Sequence, residues 1–122
     1  MSQSERRFQR YTLTTGAFSR QRLRGTGLLG SLKGWKDCRV KDMSTAGAQV
    51  LTKQEHYLGA QIEVELVTIE DTRMVFQGEV VNLGKEHNSN ENKIGIKLDA
   101  PRAGSAEASF LESLGLKFKA SV

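Results

Sequence analysis

The chain reads as a mainly β domain, a small antiparallel barrel or sandwich with one C-terminal helix. Three observations carry that expectation. Short stretches alternate apolar and polar residues, most clearly Ile62, Val64 and Leu66 against Glu63 and Glu65. Twelve glycines punctuate the 122 residues, with a single proline, so turns are frequent. A helical pattern lies near the C-terminus, where Phe110, Leu111 and Leu114 share a face.

Each element follows from its local sequence. Residues 1–10 are polar and read as a mobile basic arm. Tyr11 to Phe18 carries the threonines and aromatics of a strand. Arg20, Arg22 and Arg24 alternate with Gln21 and Leu23, so a strand here places the three arginines on one face. Turns are expected at Gly25-Thr26-Gly27 and across Gly30 to Gly34. Trp35, which reads as core or as a stacking surface with core the default, opens a segment running through Lys41 to a turn at Asp42–Gly47, and Ala48 to Thr52 leaves that turn. Strands are expected at Gln61–Ile69 and Met74–Leu83, with Gly78 at a bulge, then a polar loop from Asn82 to Asn92. Ile94, Ile96 and Leu98 alternate with Gly95 and Lys97 in the next strand, which Pro101 ends. Ser105 caps a helix near residues 105–114, Glu107 sits in its first turn, and Gly115 terminates it. Leu116 to Val122 reads as a short strand or an extended tail.

The composition narrows the function classes. The length fits one domain, residues 11–122 behind the arm. A lone cysteine, Cys38, allows no intramolecular disulfide and fits a reducing compartment, where it reads as a buried strand residue. His56 and His87 are isolated and no Cys/His cluster has metal-ligand spacing, so neither a metal nor another cofactor is expected. No activated nucleophile or carboxylate pair of known spacing appears, so catalysis is not expected. No apolar run approaches the ~18 residues of a membrane span, and the polar N-terminus does not read as a secretory signal. The expectation is a soluble cytoplasmic protein. Charge is uneven: residues 1–41 hold ten basic and two acidic residues, net +8, and the remainder is net −4. An anionic partner gripped by the N-terminal third follows. Arg20, Arg22 and Arg24 either extend that anion site or solvate a face, and solvation is the preferred reading.

Two short motifs sharpen this. Arg6-Arg7-Phe8-Gln9-Arg10 offers guanidinium forks that bind phosphate or the O6 and N7 acceptors of guanine. Asp42-Met43-Ser44-Thr45-Ala46-Gly47 offers a carboxylate suited to paired N–H donors on a guanine edge, a hydroxyl, and a glycine free to take positive φ or let a ligand approach the backbone.

The pair, in this order, resembles the RxxxR and (D/N)xSxxG signature of PilZ domains, receptors for the bacterial second messenger cyclic di-GMP. The downstream order of strands and helix resembles the same family over nearly the whole chain. The resemblance implies a six-stranded antiparallel β-barrel followed by a helix. It implies cyclic di-GMP as ligand, bound singly or as a stacked pair, with Arg6, Arg7 and Arg10 gripping phosphate and guanine. Asp42, Ser44 and Gly47 would meet a guanine on the barrel surface. A downstream protein partner would then read the ordered arm. Other readings are an interaction module of the same fold without ligand binding, and a small nucleic-acid-binding barrel. The retained arginines disfavour the first. The second wants aromatics at i, i+2 on a strand, and none are found.

Overall fold

The computed structural model describes residues 8–27 and 33–121. The elements are β1 (Tyr11–Thr12), a 3-10 turn (Thr15–Ala17), β2 (Phe18–Gly25), β3 (Lys36–Asp37), β4 (Arg39–Met43) and β5 (Gly47–Thr52). They continue with β6 (Gln61–Thr68), β7 (Arg73–Lys85), β8 (Asn92–Leu98), α1 (Ala106–Glu112), α2 (Leu114–Lys117) and β9 (Lys119–Ala120). All strand pairs are antiparallel, in the order β3-β2-β6-β7-β8-β5-β4-β1-β9. The expected six-stranded barrel is the run from β2 to β4 in that order. Three two-residue strands flank it and raise the count among the described residues to nine.

The sheet curls until β2 and β4 meet. There Cys38 N donates to Gln21 O at 3.1 Å, and Val40 N donates to the Gln21 side chain at 2.8 Å. A glutamine side chain thus satisfies an N–H that a barrel seam would otherwise leave open. The thirteen residues of β7 serve two neighbours, pairing with β6 through the first half and β8 through the second. A bulge between Val80 and Asn82 bends the strand, with Val81 as the extra, exposed residue. Gly78 is not the bulge. It marks a close approach, where a Cβ would stand 2.5 Å from Lys97 O.

Period-2 alternation fills the interior as the sequence predicts. Ile62, Val64 and Leu66 point in and are at most 1% exposed, joined by Leu23, Val50, Met74 and Ile94. Helix α1 closes one side through an aromatic cluster. Phe110 lies 6.0–6.1 Å from the rings of Phe18, Phe76 and Phe118. Ser105 caps α1, its hydroxyl accepting from Ala108 N at 3.1 Å. Glu107 Oε2 accepts from Val75 N at 2.8 Å, so one first-turn carboxylate both suits the helix dipole and seals a strand N–H.

Other local expectations also need correction. Tyr11 to Phe18 is not one strand, because the Thr15–Ala17 turn separates β1 from β2. The strand expected to Leu83 runs on through Gly84 and Lys85, which pair with β8, so the polar loop expected over 82–92 spans only residues 86–91. Gly115 lies inside α2, where a Cβ would meet Tyr11 Oη at 3.0 Å, so it makes room for Tyr11 rather than ending the helix. Trp35 is half-buried, not core; Arg22 and Arg24 place guanidinium carbons 5.2 and 4.4 Å from its ring centroid.

Candidate functional site

The two motifs meet at β1 and β4. Thr12 pairs with Asp42, which brings Arg10 beside the carboxylate: Arg10 Nη1 donates to Asp42 Oδ1 at 2.9 Å. Arg10 keeps 46% of its side chain exposed and Asp42 only 12%, so a half-exposed guanidinium covers a largely buried carboxylate. The Arg10 carbonyl accepts from Ser121 N at 2.8 Å, and Thr12 and Ser121 join hydroxyls at 2.8 Å. The base of the arm is therefore stitched between β4 and β9. Arg6 and Arg7 lie outside the described residues.

A bulge aims Asp42. Val40 faces the core opposite Val50, and simple alternation would turn Asp42 inward as well. The register shifts between Val40 and Asp42, leaving Lys41 as the extra residue; Met43 then faces the core opposite Ala48, and Asp42 faces outward opposite Gln49. The Lys41 carbonyl accepts from Leu13 N at 3.2 Å, and its ammonium pairs with Glu86 at 3.2 Å. Asp42 thus belongs to β4 and not to the turn. Pairing across β5, β8 and β7 continues its outer row as Gln49, Gly95 and Asn82. These three neighbours were not singled out from sequence. Gln49 has a legible signal, two residues past Gly47 on the outward phase, but Gly95 and Asn82 follow only from register.

The turn itself is small and tied. Ser44 Oγ accepts from Ala46 N and Gly47 N, each at 3.1 Å, while Ser44 N donates to Gly47 O at 2.8 Å. Ser44 is buried and its oxygen is committed to the turn. Gly47 does not take positive φ; its need is space, since a Cβ there would stand 2.9 Å from Ile96 O.

The other arginines occupy a different face. Arg20, Arg22 and Arg73 all bond Glu65, at 3.0, 2.8 and 2.6 Å, and Arg24 bonds Glu63 at 2.8 Å. Glu65 is 0% exposed. Burial pushes its carboxyl up, but the bonds from Arg22, Arg73 and Arg20 outweigh that and hold it down at about 2. Arg20, Arg22 and Arg24 therefore neither extend the motif site nor merely meet solvent; they are paired across β2 and β6.

Other reactive groups take part in neither set of ion pairs. Burial, helped by Asp37, pushes the Cys38 thiol up to about 12, which keeps it un-ionised at neutral pH. Among the described residues no three His, Cys, Asp or Glu side chains gather as a metal site, and no helix is long and apolar enough to cross a membrane. A cavity of about 600 Å³ involves Leu23, His56, Tyr57 and Ile62 but no motif residue.

A curled antiparallel barrel with a C-terminal helix, and with Arg10 paired to Asp42 beside β1 and β4, defines a small β-barrel domain. The PilZ domain family model matches residues 4–112, and the chain belongs to that family. Its fold is shared with two solved structures. One is the Bacillus subtilis inhibitor of motility (MotI/DgrA), at 13% identity and TM-score 0.65, covering 96% of this chain and 51% of that one. The other is MrkH, described as a c-di-GMP-dependent transcription regulatory factor, at 18% identity and TM-score 0.64, covering 90% of this chain and 49% of that one. The chain thus spans about half the length of each. No curated protein sequence matches it significantly.

Proposed function

We propose that this PilZ domain is a cyclic di-GMP receptor that binds on the outer face of β4 and β5 and passes the signal to a protein partner. The observation that carries this reading is the Arg10–Asp42 pair, which joins the two motifs across β1 and β4 with the Arg10 side chain half exposed. In the free protein it acts as a resting lock. Ligand binding exchanges it: a phosphate takes the Arg10 guanidinium, and the N1–H and N2–H donors of guanine take the Asp42 carboxylate. One charge-assisted bond gives way to several, which offsets the cost of ordering the arm. Arg6 and Arg7 complete the basic set on the ligand. Ser44 shapes the turn that presents the site, and Gly47 lets that turn lie close against β8.

Titration calorimetry with cyclic di-GMP tests this. Wild type should give saturable heat and a stoichiometry of one ligand or two. Arg10→Ala should lose about 1–3 kcal/mol, roughly 5- to 150-fold in affinity. No wild-type heat at several temperatures, with no rise in melting temperature, would sink the reading.

A further inference from the structure

We propose that the outer face of β2, β6 and β7 is a second binding surface, built to dock an extended acidic segment of a partner protein. It stands apart from the nucleotide site. Along the sheet order β8 separates β7 from the motif strands β5 and β4, and β2 meets β4 only across the seam at Gln21.

The charges on this face are sorted by depth. Register makes three outward rows: Arg20–Val67–Arg73, Arg22–Glu65–Val75 and Arg24–Glu63–Gln77. The acids lie low, with Glu65 0% and Glu63 15% exposed at their side chains, while Arg20 and Arg73 are 49% and 54% exposed. Val67 is 5% exposed although it faces outward between these two arginines. An approaching molecule meets guanidinium first. An exposed acid, Asp37 opposite Arg22, limits the excess of positive charge.

The guanidiniums are also half spent. Arg20 and Arg22 bond through Nε and Nη2, and Arg24 and Arg73 through Nε. Among the described residues the Nη1 groups of all four make no hydrogen bond to protein. Each side chain is held in place by its glutamate with a donor end unused. That is a preorganised fork for a carboxylate.

Spacing and stacking choose the partner. Arg20, Arg22 and Arg24 recur every second residue, about 6.6–6.8 Å apart along a strand, the same repeat as alternate side chains of an extended peptide. A nucleic-acid strand would want an open aromatic face, but Trp35 already has Arg22 and Arg24 against its ring.

Trp35 is the single tryptophan of the chain, so its emission reports on this face directly. The probe is a synthetic peptide of alternating glutamate and threonine, titrated at about 50 mM salt, where screening is weak. Its glutamine counterpart and oligothymidylate serve as comparison probes. The variants are the double R20Q/R73Q and, because that pair touches buried Glu65, the single R24Q, each checked for a cooperative melt. The glutamate peptide should shift Trp35 emission saturably, the glutamine peptide should not, and both variants should weaken binding at least tenfold. The proposal is overturned by the absence of saturable binding, by unchanged affinity in R24Q, or by oligothymidylate binding more tightly than the peptide.

Discussion

The two faces of this barrel use the same chemistry to opposite ends. At β1 and β4 one half-exposed arginine meets one largely buried carboxylate, and a single bond of 2.9 Å joins them. At β2, β6 and β7 three arginines converge on one carboxylate that no solvent reaches. A single bond from a half-exposed guanidinium lies closer to a surface pair, worth about 0–1 kcal/mol, than to a multiply bonded one, so a ligand can displace it at low cost. A buried carboxylate with several partners is costly to strip, so it holds its strands together. Exposure and partner number, more than the identity of the residues, separate an exchangeable lock from a fixed clamp.

Removing the clamp should have the largest effect. Glu65→Ala takes away the shared acceptor of three guanidiniums and leaves them crowded. We expect about 3 kcal/mol of lost stability, a fall in melting temperature of roughly 10 °C. Cyclic di-GMP affinity, measured well below the melt, should be unchanged. Acid makes the same test without mutation. The folded-state carboxyl titrates at about 2, below its ordinary value of 4.5. A depressed pKa means that this contribution is complete above about pH 4.5 and is lost as pH falls towards 2. Denaturant melts across that range should show wild type losing more stability than Glu65→Ala; parallel losses would show that Glu65 is no clamp.

The lock should respond the other way. Asp42→Asn keeps the shape of the side chain but replaces one acceptor with a donor, which opposes the guanine N–H groups. We expect a loss of affinity of at least tenfold, about 1.4 kcal/mol, with the melting temperature nearly constant. Unchanged affinity by calorimetry would remove Asp42 from the site.

How much of this could be read beforehand differs between the faces. Alternation at Ile62–Leu66, the cap at Ser105 and the apolar face of α1 are local patterns, and they predicted β6 and the helix directly. The motif residues were also legible as types and spacing. The outward aim of Asp42 was not, because plain alternation from Val40 turns it inward and only the Lys41 bulge reverses it. The clamp was hidden for a different reason. Arg22 and Glu65 are neighbours only through the register of β2 on β6, and nothing in either segment announces the other. The end of β7 at Gly84 and Lys85 was assigned to the loop because its residues are exposed, so burial left no mark on their sequence.

Ser44 gives the smallest expected effect and the sharpest division between the two kinds of role. It lies within the motif on the exchangeable face, yet its oxygen is buried and already accepts from Ala46 N and Gly47 N. By the rule that separates the faces, it should behave as clamp. Ser44→Ala removes an acceptor from two backbone donors and should cost about 1 kcal/mol of stability. Affinity should fall no more than about threefold, from a looser turn rather than a lost ligand bond. Ser44→Asp and Ser44→Asn extend the side chain and would carry an oxygen to the surface at the expense of the turn. If Ser44→Ala instead loses affinity tenfold with an unchanged melt, the hydroxyl must leave the turn when ligand arrives. Burial in the free protein would then fail as a guide to which groups on this face are exchangeable.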